Sequence, residues 1–130
     1  MIKIKISNTI LYCKKFEETV AFYQTKLGFP IYSSRGWFVE FKLNEFSRLS
    51  IADEAKTSID SNEGKGITIT FEVDDIAKTH AYLTESGINP PPIKDHPWNA
   101  KIIHIYDPEG NRIEFWSTNK NFFKNSEQVD

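Results

Sequence analysis

The feature that most limits how this chain can fold is a weak internal repeat. TVAFY at Thr19–Tyr23 matches THAYL at Thr79–Leu83, and the segments ahead of them, SNTILYC and ITITFEV, align in the same order. Each half then ends in a hairpin-like pattern, WFVEFKL…SRLSIAD or KIIHIYD…NRIEFWS, which places Arg48 over Arg112. A repeated unit of this length predicts two modules with the same arrangement of elements.

Each module is predicted to contain a strand, a helix, a short strand and a hairpin. The first helix lies within residues 14–29 and ends near Gly28, a residue type favoured at helix C-termini. The second helix lies within residues 74–88, opens with two aspartates suited to the N-cap, and ends near Gly87. His80 stands alone on this second helix, so a surface or packing role is expected for it.

The repeat also defines the predicted domain organisation. Module one covers residues 1–53 and module two covers residues 67–118, and a polar, glycine-ended linker at residues 54–66 joins them. The two modules are expected to form one domain of residues 1–118, which a chain of this length suits. Residues 119–130 are read as a polar C-terminal tail.

Composition and charge exclude several classes of function. Hydrophobic residues make up 39% of the chain and charged residues 26%, which is the ordinary globular range. The net charge of −2 argues against a nucleic-acid partner. No apolar run reaches the roughly 20 residues of a membrane span, and the N-terminus lacks a signal-peptide core. Cys13 is the single cysteine, expected to be a small buried hydrophobe, and the protein is expected to be cytoplasmic.

Three motifs together resemble those of the vicinal oxygen chelate superfamily, which includes glyoxalase I, extradiol dioxygenases, fosfomycin-resistance enzymes and bleomycin-resistance proteins. They are the helix FEETVAFYQTKLGF, the strand-to-helix junction FEVDDI and the turn and strand DPEGNRIEFW. Their order and spacing cover nearly the whole chain. The resemblance implies an α+β fold in which paired βαβββ modules form an open, curled mixed sheet around a central cleft, with the helices outside.

Within that fold, the period-2 alternation of a strand sorts its residues by face. Ile67, Ile69, Phe71 and Val73 are expected in the core, as are Ile113 and Phe115 on the last strand. The other face should line the cleft, together with the proline-stiffened loop of residues 90–100 that carries a tryptophan. The candidate ligand-binding residues are Asn8, Tyr12, Trp37, Thr68, Trp98, His104, Tyr106, Glu114 and Trp116.

The resemblance also implies where a metal would bind. Metal-dependent members hold a divalent ion at positions that fall here on Asn8, Ser50, Thr68 and Glu114. Three of these side chains are neutral, weak ligands for transition metals, and a catalytic site needs about three protein ligands. No metal and no other cofactor is therefore expected. A displaced, irregular site that uses His104 and Glu114 is the alternative.

Without the metal, the resemblance is strongest to bleomycin-resistance proteins, which bind their ligand without turnover. The expected function is binding of a small aromatic or amphipathic molecule, because aromatic rings are frequent on the predicted cleft strands. The alternative is an enzyme, either a glyoxalase-like lyase or isomerase with an irregular metal site, or metal-free acid–base chemistry by Glu114 and His104. A third reading, a structural or partner-binding module, predicts a cleft filled by side chains.

The expected partners are a small molecule and a second copy of the chain. A chain this small leaves sheet edges open, which a homodimer would cover. Whether the modules of one cleft come from one chain or from two stays open. Phe122 and Phe123 in the tail are expected to dock on the body or on the partner subunit.

Overall fold

A computed structural model describes residues 1–118, so Phe122 and Phe123 lie outside the described residues. The chain divides into two compact units. The first comprises Met1–Lys65 together with Asp107–Asn111, and the second comprises Gly66–Tyr106 together with the described residues 112–118. Within residues 1–118, no helix combines the length and the apolar character needed to cross a membrane.

The first unit is a four-stranded mixed sheet with one helix packed on it. The strands are β1 (Ser7–Cys13), β2 (Ile31–Ser34), β3 (Phe38–Lys42) and β4 (Ser47–Asp53), in the spatial order β1-β4-β3-β2. β1 runs parallel to β4, and the other neighbouring pairs are antiparallel. Helix α1 (Phe16–Ala21) packs against β1 and β4. β1 and β2 are therefore the edge strands of this sheet.

The first helix does not continue as an α-helix to its end. Residues Phe22–Lys26 form a π-helical turn, closed by a hydrogen bond from the Leu27 amide to the Phe22 carbonyl. Thr19, Tyr23 and Leu27 are all buried and are spaced four residues apart. A wider turn keeps such a spacing closer to one face than the 3.6-residue α-helical turn would. Their common burial against the sheet accounts for the departure.

The second unit repeats this plan. Its elements are β5 (Thr68–Glu72), α2 (Ile76–Glu85), β6 (Lys94–His96), β7 (Ala100–Tyr106) and β8 (Arg112–Thr118), with the sheet order β5-β8-β7-β6. β5 runs parallel to β8, and α2 packs against β7 and β8. The Asp75 side chain caps α2 by accepting the Lys78 amide at 3.0 Å. His80 donates a hydrogen bond from Nε2 to the Pro91 carbonyl at 3.0 Å, which is a packing role.

The turn Asp107–Asn111 is built from side chains that bind backbone and hydroxyl groups. One oxygen of Asp107 accepts the amides of Glu109 and Asn111, and the other accepts the Tyr23 hydroxyl at 2.6 Å. Burial and the neighbouring Asp107 carboxylate raise the pKa of the Tyr23 hydroxyl well above its ordinary value, so Tyr23 stays a donor. The DPEGN motif therefore has a structural role in completing the first unit.

The predicted α+β fold of two βαβββ modules, each a four-stranded open mixed sheet, is confirmed. Alternation along the last strand is also as predicted, because Ile113 and Phe115 are buried and their neighbours are not. The core placement of Ile67 is wrong, since that side chain is 50% exposed. Ile67 precedes β5, which begins only at Thr68, so the alternation of the strand does not extend to it.

Candidate functional site

The face of the first sheet opposite α1 is open. Leu11 and Cys13, which point toward the helix, are buried, whereas Asn8 and Ile10 on the other face are exposed and Tyr12 is half-buried. On this face, Ile10 is the exposed apolar side chain and Tyr12 the half-buried aromatic one. Asn8, Ile10 and Tyr12 are alternate residues of β1, so their side chains share one face of the sheet.

A cavity of about 390 Å³ lies on this face, within the first unit. It is lined by Ile10, Tyr12, Trp37, Phe38, Ala52 and the segment Lys56–Ile59. The rings of Trp37 and Phe38 meet edge to face, with centroids 5.5 Å apart. We call this the aromatic pocket.

The wall of the aromatic pocket formed by residues 56–59 is held in place by local hydrogen bonds. Asp53 accepts the Ala55 amide at 3.0 Å, which caps the short 3-10 helix Glu54–Lys56. The Thr57 hydroxyl donates to the Ile59 carbonyl at 3.0 Å. These hydrogen bonds fix the local path of the segment, and Lys56 is the one charged side chain among the lining residues.

Next to the aromatic pocket, the polar candidates of the first unit bind one another. The Ser50 hydroxyl donates to Asn8 Oδ1 at 2.8 Å. The buried Arg48 guanidinium lies 3.3 Å from the Glu40 carboxylate and 4.7 Å from the centre of the Tyr32 ring. Asn8 also lines a smaller depression of about 210 Å³ together with Trp37 and Glu40.

A second cavity, of about 260 Å³, belongs entirely to the second unit. It is lined by Lys94, Asp95, His96, Ile102, His104, Arg112 and Glu114. Six of these seven side chains are ionisable, which makes this cavity chemically different from the aromatic pocket. We call it the charged pocket.

Arg112 organises the charged pocket. Its Nε and Nη2 both donate to one oxygen of Glu114, at 3.2 and 3.0 Å, and its Nη1 donates to the Tyr106 hydroxyl at 3.2 Å. The hydrogen bonds that Arg112 donates to Tyr106 and then to Glu114 raise the pKa of its guanidinium above its ordinary value. His104 lies directly opposite Glu114 across the β7–β8 pair. Glu114 is therefore a fixed, ion-paired carboxylate with an imidazole beside it.

The remaining candidates of the second unit lie outside the charged pocket. The indole nitrogen of Trp116 donates to the Thr70 hydroxyl at 3.1 Å, which ties β8 to β5. Thr68 is an exposed residue at the start of β5, and Trp98 is 80% exposed in the turn between β6 and β7. Tyr106 is exposed and contacts two lining residues, Arg112 through a hydrogen bond and His104 through an edge-to-face ring contact at 6.1 Å.

The donors at the expected metal positions do not fit a divalent metal. In the first unit, the Asn8 oxygen is taken up by the Ser50 hydroxyl, and in the second unit Glu114 is bound by Arg112. No three histidine, cysteine, aspartate or glutamate side chains within residues 1–118 are grouped so that they could hold a metal ion. Cys13 offers no thiolate, because burial, followed by the nearby Glu109 and Asp107 carboxylates, raises its pKa to about 12.

The sequence did not single out several residues that line the two pockets. Phe38 and residues 56–59 of the aromatic pocket follow from the path of the chain after β4, which periodicity does not describe. Lys94 and His96 lie on the three-residue strand β6, too short to show alternation. One feature of the sequence could have indicated His96. It lies two residues after Lys94, so in a strand both side chains project from one face.

Comparison with known proteins identifies related sequences and folds. The model of the Glyoxalase/Bleomycin resistance protein/Dioxygenase superfamily matches residues 5–115. The uncharacterised protein YraH of Bacillus subtilis is 28% identical over 130 residues, an alignment that covers 87% of this chain and 98% of YraH.

Solved structures share the fold. A glyoxalase/bleomycin resistance protein/dioxygenase from Nocardioides superposes with a TM-score of 0.75 at 23% identity, covering 92% of this chain and 87% of that one. Lactoylglutathione lyase from Agrobacterium tumefaciens superposes with a TM-score of 0.68 at 25% identity, covering 86% of this chain and 92% of the lyase.

Proposed function

Because the chain belongs to the Glyoxalase/Bleomycin resistance protein/Dioxygenase superfamily, we propose that it binds a small aromatic or amphipathic molecule in the aromatic pocket, without a catalytic metal. The observation that carries the proposal is the pocket itself. Its volume of about 390 Å³ lies within the roughly 300–1,000 Å³ of small-molecule sites, and its lining is mostly apolar and aromatic.

The chemistry of the lining selects the ligand class. Trp37, Tyr12 and Phe38 offer aromatic faces and edges to a flat ring, and Ile10 adds apolar contact area. Lys56 supplies one cation at the wall formed by residues 56–59, which suits an amphipathic molecule with a polar end. The absence of a carboxylate from this lining disfavours a cationic ligand in the aromatic pocket.

A second candidate function is enzymatic. The pairing of His104 with Glu114 across neighbouring strands places two potential proton acceptors side by side, and Arg112 fixes one of them. A glyoxalase-like lyase or isomerase would use such a pair. Lactoylglutathione formation by the purified protein, lost in both Glu114→Gln and His104→Ala, would favour this candidate over simple binding.

The binding proposal is tested with planar aromatic compounds, using indole and naphthalene derivatives as probes. A ligand that stacks on Trp37 should change tryptophan emission and raise the melting temperature. At 100 times the Kd, the folded state should gain about 2.7 kcal/mol. Both effects should disappear in Trp37→Ala.

Trp98→Ala is the matched control. It removes the same side chain from an 80% exposed position outside the aromatic pocket, so the probes should still raise its melting temperature. Probes that stabilise the wild type and Trp37→Ala equally would place the ligand elsewhere and overturn the proposal.

A further inference from the structure

We propose that the charged pocket of the second unit is a binding site for a small monocarboxylate. This proposal does not involve the aromatic pocket. It can therefore be tested independently of the proposal that an aromatic or amphipathic molecule binds there. Three properties of the charged pocket support the proposal: its uncompensated charge, its unused hydrogen-bond donors and its small volume.

The two carboxylates of the charged pocket are both engaged. Asp95 binds Lys101 at 2.8 Å, and its side chain is 86% exposed at the rim. Glu114 is ion-paired with Arg112 at 3.0 Å. Within residues 1–118, Lys94 has no carboxylate partner. The uncompensated charge of the pocket is therefore positive.

Three kinds of hydrogen-bond donor remain for a ligand. A guanidinium has five N–H groups, and Arg112 uses three of them on Glu114 and Tyr106, so two stay without a partner among the described residues. The Trp98 amide donates to His96 Nδ1 at 3.3 Å, which leaves the proton of the neutral ring on Nε2 as a donor. Lys94 adds its ammonium group.

These donors share one face of the sheet. Lys94 and His96 are two residues apart on β6, and so project to the same side. Lys94 lies opposite Ile102 on β7, and His104 is two residues further along that strand. On β8, Arg112 and Glu114 occupy the matching alternate positions. The residues that carry these donors all line the same cavity of about 260 Å³.

Size and charge together select the ligand class. The cavity of about 260 Å³ lies below the range typical of drug-sized ligands, and Ile102 is its only apolar lining residue. A planar carboxylate matches the fork of guanidinium donors, and a short aliphatic chain can lie on Ile102. A dianion such as phosphate would bring a second negative charge close to Glu114, so a monoanion is preferred.

The experiment uses butyrate as the probe, at pH 7 and constant ionic strength. Binding is followed through the imidazole C–H signals of His96 and His104 in NMR spectra of the full chain. Butyrate should shift both signals with saturation, whereas the neutral butyramide and the cation butylammonium should not. Inorganic phosphate should bind more weakly than butyrate.

Two lysine variants decide whether the pocket is responsible. Lys94→Gln should weaken butyrate binding about tenfold, the cost of one charge-assisted hydrogen bond. Lys78→Gln removes the same charge from the exposed surface of α2, outside the pocket, and should leave the affinity unchanged. The melting temperatures of both variants establish that they are folded.

Other results would overturn the proposal. Equal effects of butyrate and butyramide would show that the charge is not recognised, and equal losses in the two lysine variants would show only general attraction. Phosphate binding tighter than butyrate would refute the monocarboxylate class. Trp37→Ala should not change butyrate binding, because Trp37 lies in the aromatic pocket. The butyrate experiment therefore tests the charged pocket even if no ligand binds in the aromatic pocket.

Discussion

Glu109 is a buried carboxylate whose two oxygens bind the start of α1. They accept the amides of Lys14 and Lys15, each at 2.8 Å, and the hydroxyl of Ser61. Burial alone would raise the pKa of Glu109. The hydrogen bonds from Ser61 and from the two amides outweigh this effect and hold the pKa below its ordinary value of 4.5. The charged form of Glu109 is therefore the one that stabilises the fold.

We expect Glu109→Gln to lower the free energy of unfolding at pH 7 by about 1–3 kcal/mol, because an amide cannot accept on both sides. A carboxylate with a lowered folded-state pKa contributes stability above its unfolded pKa and loses that contribution as the pH falls through the folded value. The difference between wild type and variant should therefore shrink below pH 4.5. Urea unfolding at pH 7 and at lower pH measures both effects.

Glu45→Gln is the control for this prediction. Glu45 lies exposed in the turn between β3 and β4 and takes part in no hydrogen bond within the described residues, so its loss should have little effect at either pH. A Glu109→Gln variant that unfolds like the wild type at pH 7 would contradict the role assigned to Glu109.

At the residue scale, the sequence predicted which face of a strand a side chain occupies better than it predicted which residue that side chain binds. Alternation placed Ile113 and Phe115 in the core and His104 beside Glu114, because a period of two is visible in the letters. Alternation could not decide whether Glu114 would pair with Arg112, with His104 or with a backbone group, and in the structure it pairs with Arg112. Side-chain pairing depends on rotamers, which hydrophobic periodicity does not encode.

At the scale of elements, the turn Asp107–Asn111 and the segment before Lys65 touch through their backbones. A Cβ added to Gly64 would lie 2.2 Å from the Gly110 carbonyl oxygen. Gly64 also has a φ of +80°, in the left-handed region. This position therefore requires glycine for two independent reasons, conformation and space.

Gly66 shares the left-handed conformation of Gly64 but not its close contact, so comparing the two positions distinguishes the two reasons. It has a φ of +78°, and a Cβ there would meet nothing within 4 Å. We expect Gly66→Ala to cost about 1 kcal/mol of stability, the strain of a left-handed alanine. Gly64→Ala should cost clearly more, because the backbones must also move apart. Equal melting temperatures for the two alanine variants would show that the close approach is unimportant.

The internal repeat predicted the order of the elements, since two aligned halves must form the same strand, helix and hairpin. It could not predict the π-helical turn at Phe22–Lys26, which depends on packing against the sheet. Nor could it fix the start of β5, and for that reason Ile67 was assigned to the core. Element ends depend on local hydrogen bonds more than on hydrophobic pattern.

For the whole molecule, we predict a homodimer at micromolar concentration. β1 and β5 are edge strands of their sheets. Four isoleucines are exposed in or just before β1: Ile2, Ile4, Ile6 and Ile10. Unpaired edges and exposed apolar side chains favour association. Light scattering should give twice the 15.1 kDa mass of one chain.

Ile4→Lys should shift this equilibrium toward the monomer, because it places a charge among the exposed isoleucines. Tyr82→Lys makes a comparable change on the exposed side of α2 and should leave the dimer intact. A mass of 15.1 kDa for the wild type at every accessible concentration would refute the dimer.

We also predict that protein purified without chelators carries no stoichiometric zinc, iron, manganese or nickel. The reason is the donor set, because the Asn8 oxygen and Glu114 are already hydrogen-bonded within their own units. Elemental mass spectrometry measures the metal content directly. One equivalent of metal that disappears in Glu114→Ala would contradict the prediction.

The first unit is discontinuous in sequence, and this has a consequence for synthesis on the ribosome. The Tyr23 hydroxyl donates to Asp107, 84 positions later in the chain, and the Lys14 amide donates to Glu109, 95 positions later. Neither bond can form until the later residue has been synthesised. At translation rates of about 5–20 residues per second, residues 1–65 emerge several seconds before the turn that completes their hydrogen bonds. A nascent chain stalled before residue 107 should therefore be open to proteases throughout α1, and should become resistant once residue 111 has left the exit tunnel.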